Sequence, residues 1–286
     1  MKWSLFTVAS PDLSVKELIP YAAEAGLKGL EWRFKETPAD QRSQPASFWG
    51  NNMATIEPGI SDVELKEIKA LCKEHGIEPA GVMPYLGVGD LDAAKEVLRV
   101  ATALEAPIVR IGVHGYNRKR SYNELLDEQL RYMESLEPML RDHGIKGVVE
   151  THHMTISASA SAAYRLVSSF DSSVYGVLFD PGNMVFEGYE NHRMGLELLG
   201  DYLAHVHVKN ADAVPKEQRS GQAFAWSPME EGLVNWTQVL EDLAQVNYNG
   251  FCGVEDFSGT RSTKDMIAYY VQWISKLNDQ VRGVTR

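Results

Sequence analysis

The feature that most constrains this chain is a repeat of kind rather than of letters: a short β-rich run, a polar loop and a stretch of helical periodicity follow one another eight times. The spacing predicts strands over 2–8, 29–34, 78–83, 107–113, 147–150, 176–180, 203–208 and 250–255. Helices are predicted over 15–26, 61–76, 90–104, 122–144, 157–170, 191–199, 236–245 and 264–277, several with a Ser or Asp at the start and a Gly at the end. Parallel strands need helical crossovers, and strands covered on both faces read as apolar runs, so the pattern predicts a single (β/α)8 barrel. A doubly wound open sheet is the alternative. It is disfavoured because no Gly-x-Gly-x-x-Gly turn follows the first strand, and polar residues punctuate many strand ends rather than one switch point.

A chain of 286 residues suits one such barrel, and the domain is taken as 1–286. Its 44% hydrophobic and 23% charged residues provide for a core and exclude a disordered or low-complexity chain. A net charge of -11 repels phosphate backbones and argues against nucleic acid as a partner. No run approaches the ~20 apolar residues of a membrane span. Without a signal core, and with only Cys72 and Cys252, the chain reads as cytoplasmic, with no membrane partner and no disulfide framework. A homo-oligomer is compatible with the sequence.

Barrel active sites lie at the C-terminal ends of the strands. Four consecutive strands there offer Glu150, Asp180, His207 and Glu255. Three carboxylates and an imidazole at one mouth repel one another unless a divalent cation sits between them. The mixed oxygen and nitrogen donors, with no thiolate, suit Mn2+ best and also Mg2+, Co2+ or Zn2+. The bland fate of any one of these acids is a salt bridge or a helix cap.

Around them lie candidate substrate contacts. His205, His207 and Lys209 alternate onto one face, with His205 a layer deeper, either satisfied in the core or supporting the metal. Lys209 is placed to neutralise an oxyanion. His114, His152 and His153 follow strands in loops. Arg33 either pairs with Glu31 or grips substrate hydroxyls. Trp226 and Trp49, in long loops, are candidates for a sugar-stacking wall.

The segments GLKGLEWRF, VVETHH, LFDPGNM, AHVHVKNAD, EEGLVNW and GVEDF, in this order and spacing, resemble the sugar isomerase and epimerase family of xylose isomerase-like barrels, the grouping that also holds endonuclease IV. The resemblance covers essentially the whole chain and puts the metal on the same four residues. It implies that Glu150 and Glu255 act as an acid/base pair exchanging a proton beside a metal-bound carbonyl, with the enediolate stabilised by the metal. Two departures stand out: Asn183 replaces a histidine common in the epimerases, and THHM stands where a second glutamate often follows strand five.

The resulting expectation is a divalent-metal-dependent isomerase or epimerase acting on a keto-sugar or related polyol. Its substrate contacts are Arg33, His114, His152, His153, Asn183, Lys209 and Trp226. The runner-up is a lyase or dehydratase acting by β-elimination on a keto-sugar, an inosose or a 3-keto-glycoside, with one of the histidines as acid. An endonuclease IV-like phosphodiesterase ranks far below, because Asn183 removes an expected zinc ligand and the charge is wrong for DNA.

Overall fold

A computed structural model describes residues 1–284. Eight parallel strands close in the order β1-β10-β7-β6-β5-β4-β3-β2. They are β1 (Lys2–Phe6), β2 (Gly29–Phe34), β3 (Glu78–Pro84), β4 (Ile108–Arg110), β5 (Lys146–Glu150), β6 (Tyr175–Phe179), β7 (Leu203–Val208) and β10 (Phe251–Val254). A separate antiparallel hairpin, β8 (Asn210–Ala213) with β9 (Phe224–Ser227), is inserted after β7. The expected closed barrel is therefore present, with the hairpin as an addition.

The outer layer comprises α1 (Val15–Glu24), α2 (Asp62–His75), α3 (Leu91–Leu104), α4 (Tyr122–His143), α5 (Ala160–Val167), α6 (Pro181–Phe186), α7 (His192–Leu199), α8 (Trp236–Gln245) and α9 (Thr263–Val284). Local chemistry sets their ends. Ser14 with Glu17, and Ser61 with Glu64, form reciprocal capping boxes that satisfy the first free N–H groups of α1 and α2. Gly76 and Gly144 stop α2 and α4 at φ 67° and 63°, a left-handed conformation that glycine adopts without steric cost.

Strand β1, expected to run to residue 8, ends at Phe6 and passes into a 3-10 turn over Thr7–Ala9, and three other boundaries differ from expectation. Strand β4 ends at Arg110, and just beyond it Gly112 passes so close to the Leu86 carbonyl that a Cβ would meet the oxygen at 2.5 Å. Helix α5 starts at Ala160, since Ser157 folds back and donates its hydroxyl to the Glu150 carbonyl at 2.8 Å. Strand β6 stops at Phe179, and Asp180 instead opens α6, with Pro181 at the first helical position.

The main apolar core lies between strands and helices. A smaller cluster of Phe6, Val8, Met83, Ile108, Val148 and Leu178 fills the barrel itself. Strand alternation then places Arg110, Glu150 and Asp180, two residues beyond Ile108, Val148 and Leu178, above this plug on the same inward side. The apolar plug is thus the floor on which the polar residues stand.

Candidate metal centre

Glu150 ends β5, Asp180 follows β6, His207 lies in β7 and Glu255 follows β10. One donor atom from each falls within 4.8 Å of the others, and all four residues are buried. His207 sits between the acids, its Nδ1 3.4 Å from Glu150 Oε1, 3.4 Å from Glu255 Oε2 and 3.6 Å from Asp180 Oδ2. That nitrogen is buried and has no hydrogen-bond partner. An unpartnered buried nitrogen facing three carboxylates is the donor set a divalent cation needs, so the residues present fit a metal.

Two buried cations brace the acids. Arg110 donates to Glu150 Oε2 at 2.6 Å and to the Pro84 carbonyl at 3.0 Å. Lys209 Nζ lies 2.5 Å from Glu255 Oε2 and 2.7 Å from Asp180 Oδ2, with its ammonium 4.9 Å from the centre of the Trp226 ring. Burial alone would lift the Glu150 carboxyl, but Arg110 and His207 outweigh it and hold it well below the usual carboxylate range. Burial likewise opposes charge on Lys209, yet Asp180 and Glu255 hold it above the ordinary lysine range. For His207 burial again disfavours the cation, and Glu255 and Glu31 overcome it, raising the imidazole well above 6.5.

A cavity of about 370 Å³ opens above the cluster. Trp49, Tyr85, Trp226 and Phe257 form apolar walls, and Arg110, Glu150, His152, His153, Asn183, Lys209 and Glu255 supply the polar lining. Asn183 donates its amide to Asp180 Oδ2 at 2.8 Å, the Thr151 carbonyl at 3.1 Å and Glu150 Oε1 at 3.2 Å, tying two of the acids together. His153 stacks on Phe186 with ring centres 4.6 Å apart. Burial, with His152 and Lys209 nearby, lowers its pKa to about 4, so it is neutral at neutral pH.

Of the substrate contacts expected from sequence, His152, His153, Asn183, Lys209 and Trp226 line this cavity, and two do not. His114 lies in a separate surface cleft, its Nε2 3.2 Å from Glu128 in the second turn of α4. Arg33 is buried behind the Trp49 and Tyr85 wall, donating to Thr55 Oγ1 and, at 3.3 Å, to the Trp49 carbonyl. Nor does Arg33 pair with Glu31: that carboxylate lies inside the barrel against His205 and His207. Lys209, placed by the sequence to neutralise an oxyanion, is buried between its two carboxylates. Sequence reasoning missed Arg110. The signal was its place as the last residue of the run PIVR, directly at a strand end where barrel sites form.

A family model described as the xylose isomerase-like TIM barrel matches residues 19–277. An inosose dehydratase of Clostridium beijerinckii is 28% identical over 133 residues, 43% of this chain and 44% of that protein, so the chain spans under half the length of this curated relative. Among solved structures, the probable 3-DHS dehydratase of petrobactin synthesis from Bacillus anthracis superposes with a TM-score of 0.73 at 16% identity, covering 96% of this chain and 99% of that one. A D-tagatose 3-epimerase-like protein superposes with a TM-score of 0.71 at 17% identity over the full length of both chains.

Proposed function

The chain belongs to the xylose isomerase-like TIM barrel family, and on that premise we propose that it is a divalent-metal-dependent enzyme that isomerises or epimerises an uncharged keto-sugar or related polyol. The observation that carries this reading is the buried set of Glu150, Asp180, His207 and Glu255 at the floor of a sugar-sized cavity with aromatic walls. A divalent ion held by these four residues supplies Lewis-acid polarisation of a carbonyl, which acidifies the neighbouring C–H. Its identity follows from the donor set: Mn2+ first, with Co2+, Mg2+ and Zn2+ as alternatives.

The side chains divide the remaining work. Arg110, His207 and Asn183 all contact Glu150 and hold it as an ionised carboxylate, the form that takes a proton from one face of the substrate, while Glu255 returns a proton from the opposite face. Lys209 stands beside Glu255 and provides a cation next to the developing oxyanion. The aromatic walls present flat faces to the C–H surface of a sugar ring and exclude water. Arg110 and Lys209 are the cationic side chains of the lining among the described residues, and each is already paired with an acid. No unpaired cation is left for a phosphate, which favours an unphosphorylated substrate.

A dehydratase outcome is the second reading, favoured by His152 in the lining and by the inosose dehydratase match, while His153, held neutral, does not serve as the acid. Expulsion of a hydroxyl needs a separate acid at the departing oxygen. The mass of the product from a panel of neutral keto-sugars and inososes, with and without EDTA, tests both readings. Unchanged mass and loss of turnover with EDTA support isomerisation, loss of water supports the dehydratase, and turnover indifferent to EDTA contradicts both.

A further inference from the structure

Glu31 is a fully buried carboxylate inside the barrel that the reaction described above does not use. It starts on β2 and ends against β7, three strands away around the barrel, with β1 and β10 between them. At this level the intervening strands present small residues: Ser4 of β1, register-paired with Gly253 of β10, which is in turn paired with His207 of β7. A Cβ at Gly253 would overlap the Glu31 carboxylate, 2.6 Å from its Cδ. The absence of a side chain there opens the passage across the barrel. Along it the carboxylate meets Ser4 Oγ at 2.6 Å, His205 Nε2 at 3.0 Å and His207 Nε2 at 2.8 Å.

Three buried donors in such a group could suggest a second ion. The distances argue otherwise. Ligands about 2.0–2.2 Å from a tetrahedral ion stand about 3.3 Å from each other, whereas 2.8 Å is the separation of a charge-assisted N–H···O hydrogen bond. A proton, not a metal, joins His207 to Glu31.

We propose that Glu31 is a positioning residue for the metal centre: it accepts the Nε2–H of His207 and thereby fixes the tautomer and ring angle that turn Nδ1 toward Glu150, Asp180 and Glu255. Ser4 donates its hydroxyl to the other Glu31 oxygen, with His205 Nε2 3.0 Å from that same oxygen, so the carboxylate is flanked on the side away from His207. Phe6 stacks on the His207 ring at 5.5 Å and limits its tilt from one side. A carboxylate behind a ligating imidazole orients it and raises its basicity, and loss of such a partner typically costs 10- to 100-fold in metal affinity. The inference rests on the metal reading of the four-residue cluster.

Co2+ binding to Glu31→Gln and Ser4→Ala, by competition with a chromophoric chelator, tests it alongside the visible spectrum of bound Co2+ and the melting temperature of the metal-free proteins. The expected result is about 10- to 100-fold weaker binding in Glu31→Gln with altered Co2+ bands, and a smaller loss of the same kind in Ser4→Ala. A merely structural Glu31 would lower the melting temperature and leave affinity and spectrum as in the wild type, which overturns the inference. Nitrogen-15 NMR of histidine-labelled wild type loaded with Zn2+ decides without any variant: Nδ1 of His207 metal-bound and Nε2 protonated is expected, and the reverse arrangement overturns it. A wild type that takes up no metal overturns the metal reading together with this inference. Metal uptake that is indifferent to Glu31 overturns this inference alone.

Discussion

His207 decides at which pH the centre can fill. In the metal-free protein its imidazole is held above 6.5 by Glu255 and Glu31 against the effect of burial. A group with a raised folded pKa contributes stability fully present below its unfolded value of about 6.5, lost as pH climbs through the folded value. A metal must displace that same proton. Affinity for Mn2+ or Co2+ should therefore rise by about tenfold per pH unit from pH 6 upward until the raised pKa is passed, with about one proton released per ion. Calorimetry in buffers of different ionisation enthalpy counts that proton, and affinity flat between pH 6 and 8 contradicts the assignment. The same residue shows what a sequence hides. His207 is readable as a ligand because it lies next to the end of the AHVHV run, but Glu31 is not readable as its partner. A strand-borne glutamate next to Arg33 looks like half of a local ion pair until closure of the barrel turns it toward β7.

At the scale of elements, Asp180 has two duties. It accepts the Asn183 backbone N–H at 2.9 Å, capping α6, and it offers Oδ2 to the cluster. Asparagine keeps the cap and removes the charge, while alanine removes both. Both Asp180→Asn and Asp180→Ala should lose the metal, and without metal the alanine variant should be less stable by about 1 kcal/mol, the usual cost of a lost N-cap. Denaturant melts in EDTA check this, and equal stability of the two variants contradicts the cap. The boundaries of α2 and α4 were legible because their end signals are local: Ser61 with Glu64 at one start, Gly76 and Gly144 at the stops. Helix α6 carried a local signal too, an Asp followed by Pro, but the apolar run before it drew Asp180 into the strand. The β8–β9 hairpin carried none. Its four-residue strands are ten residues apart, and the pairing of Asn210 with Ser227 exists only once the chain has folded back to bring Trp226 over Lys209.

For the molecule as a whole, the charge of -11 and the fully paired cations of the cavity act in the same direction. Both disfavour a phosphorylated or carboxylated substrate, the first by long-range repulsion and the second by leaving no free cation at the end of the approach. A neutral keto-sugar should be turned over with a kcat/KM at least about tenfold above that of its phosphate ester, a difference of about 1.4 kcal/mol in barrier. Raising the ionic strength should narrow that gap by screening the long-range part. Preference for the ester contradicts the charge argument while leaving the metal centre intact. The centre itself is the core of the account, and metal content after EDTA stripping and reconstitution addresses it most directly. The wild type should retain close to one equivalent of Mn2+, Co2+ or Zn2+ after gel filtration and recover activity in proportion, while His207→Ala, with its one imidazole ligand gone, should retain less than about a tenth of an equivalent. A wild type that holds none of these ions, or a His207→Ala variant that holds a full equivalent, contradicts the account.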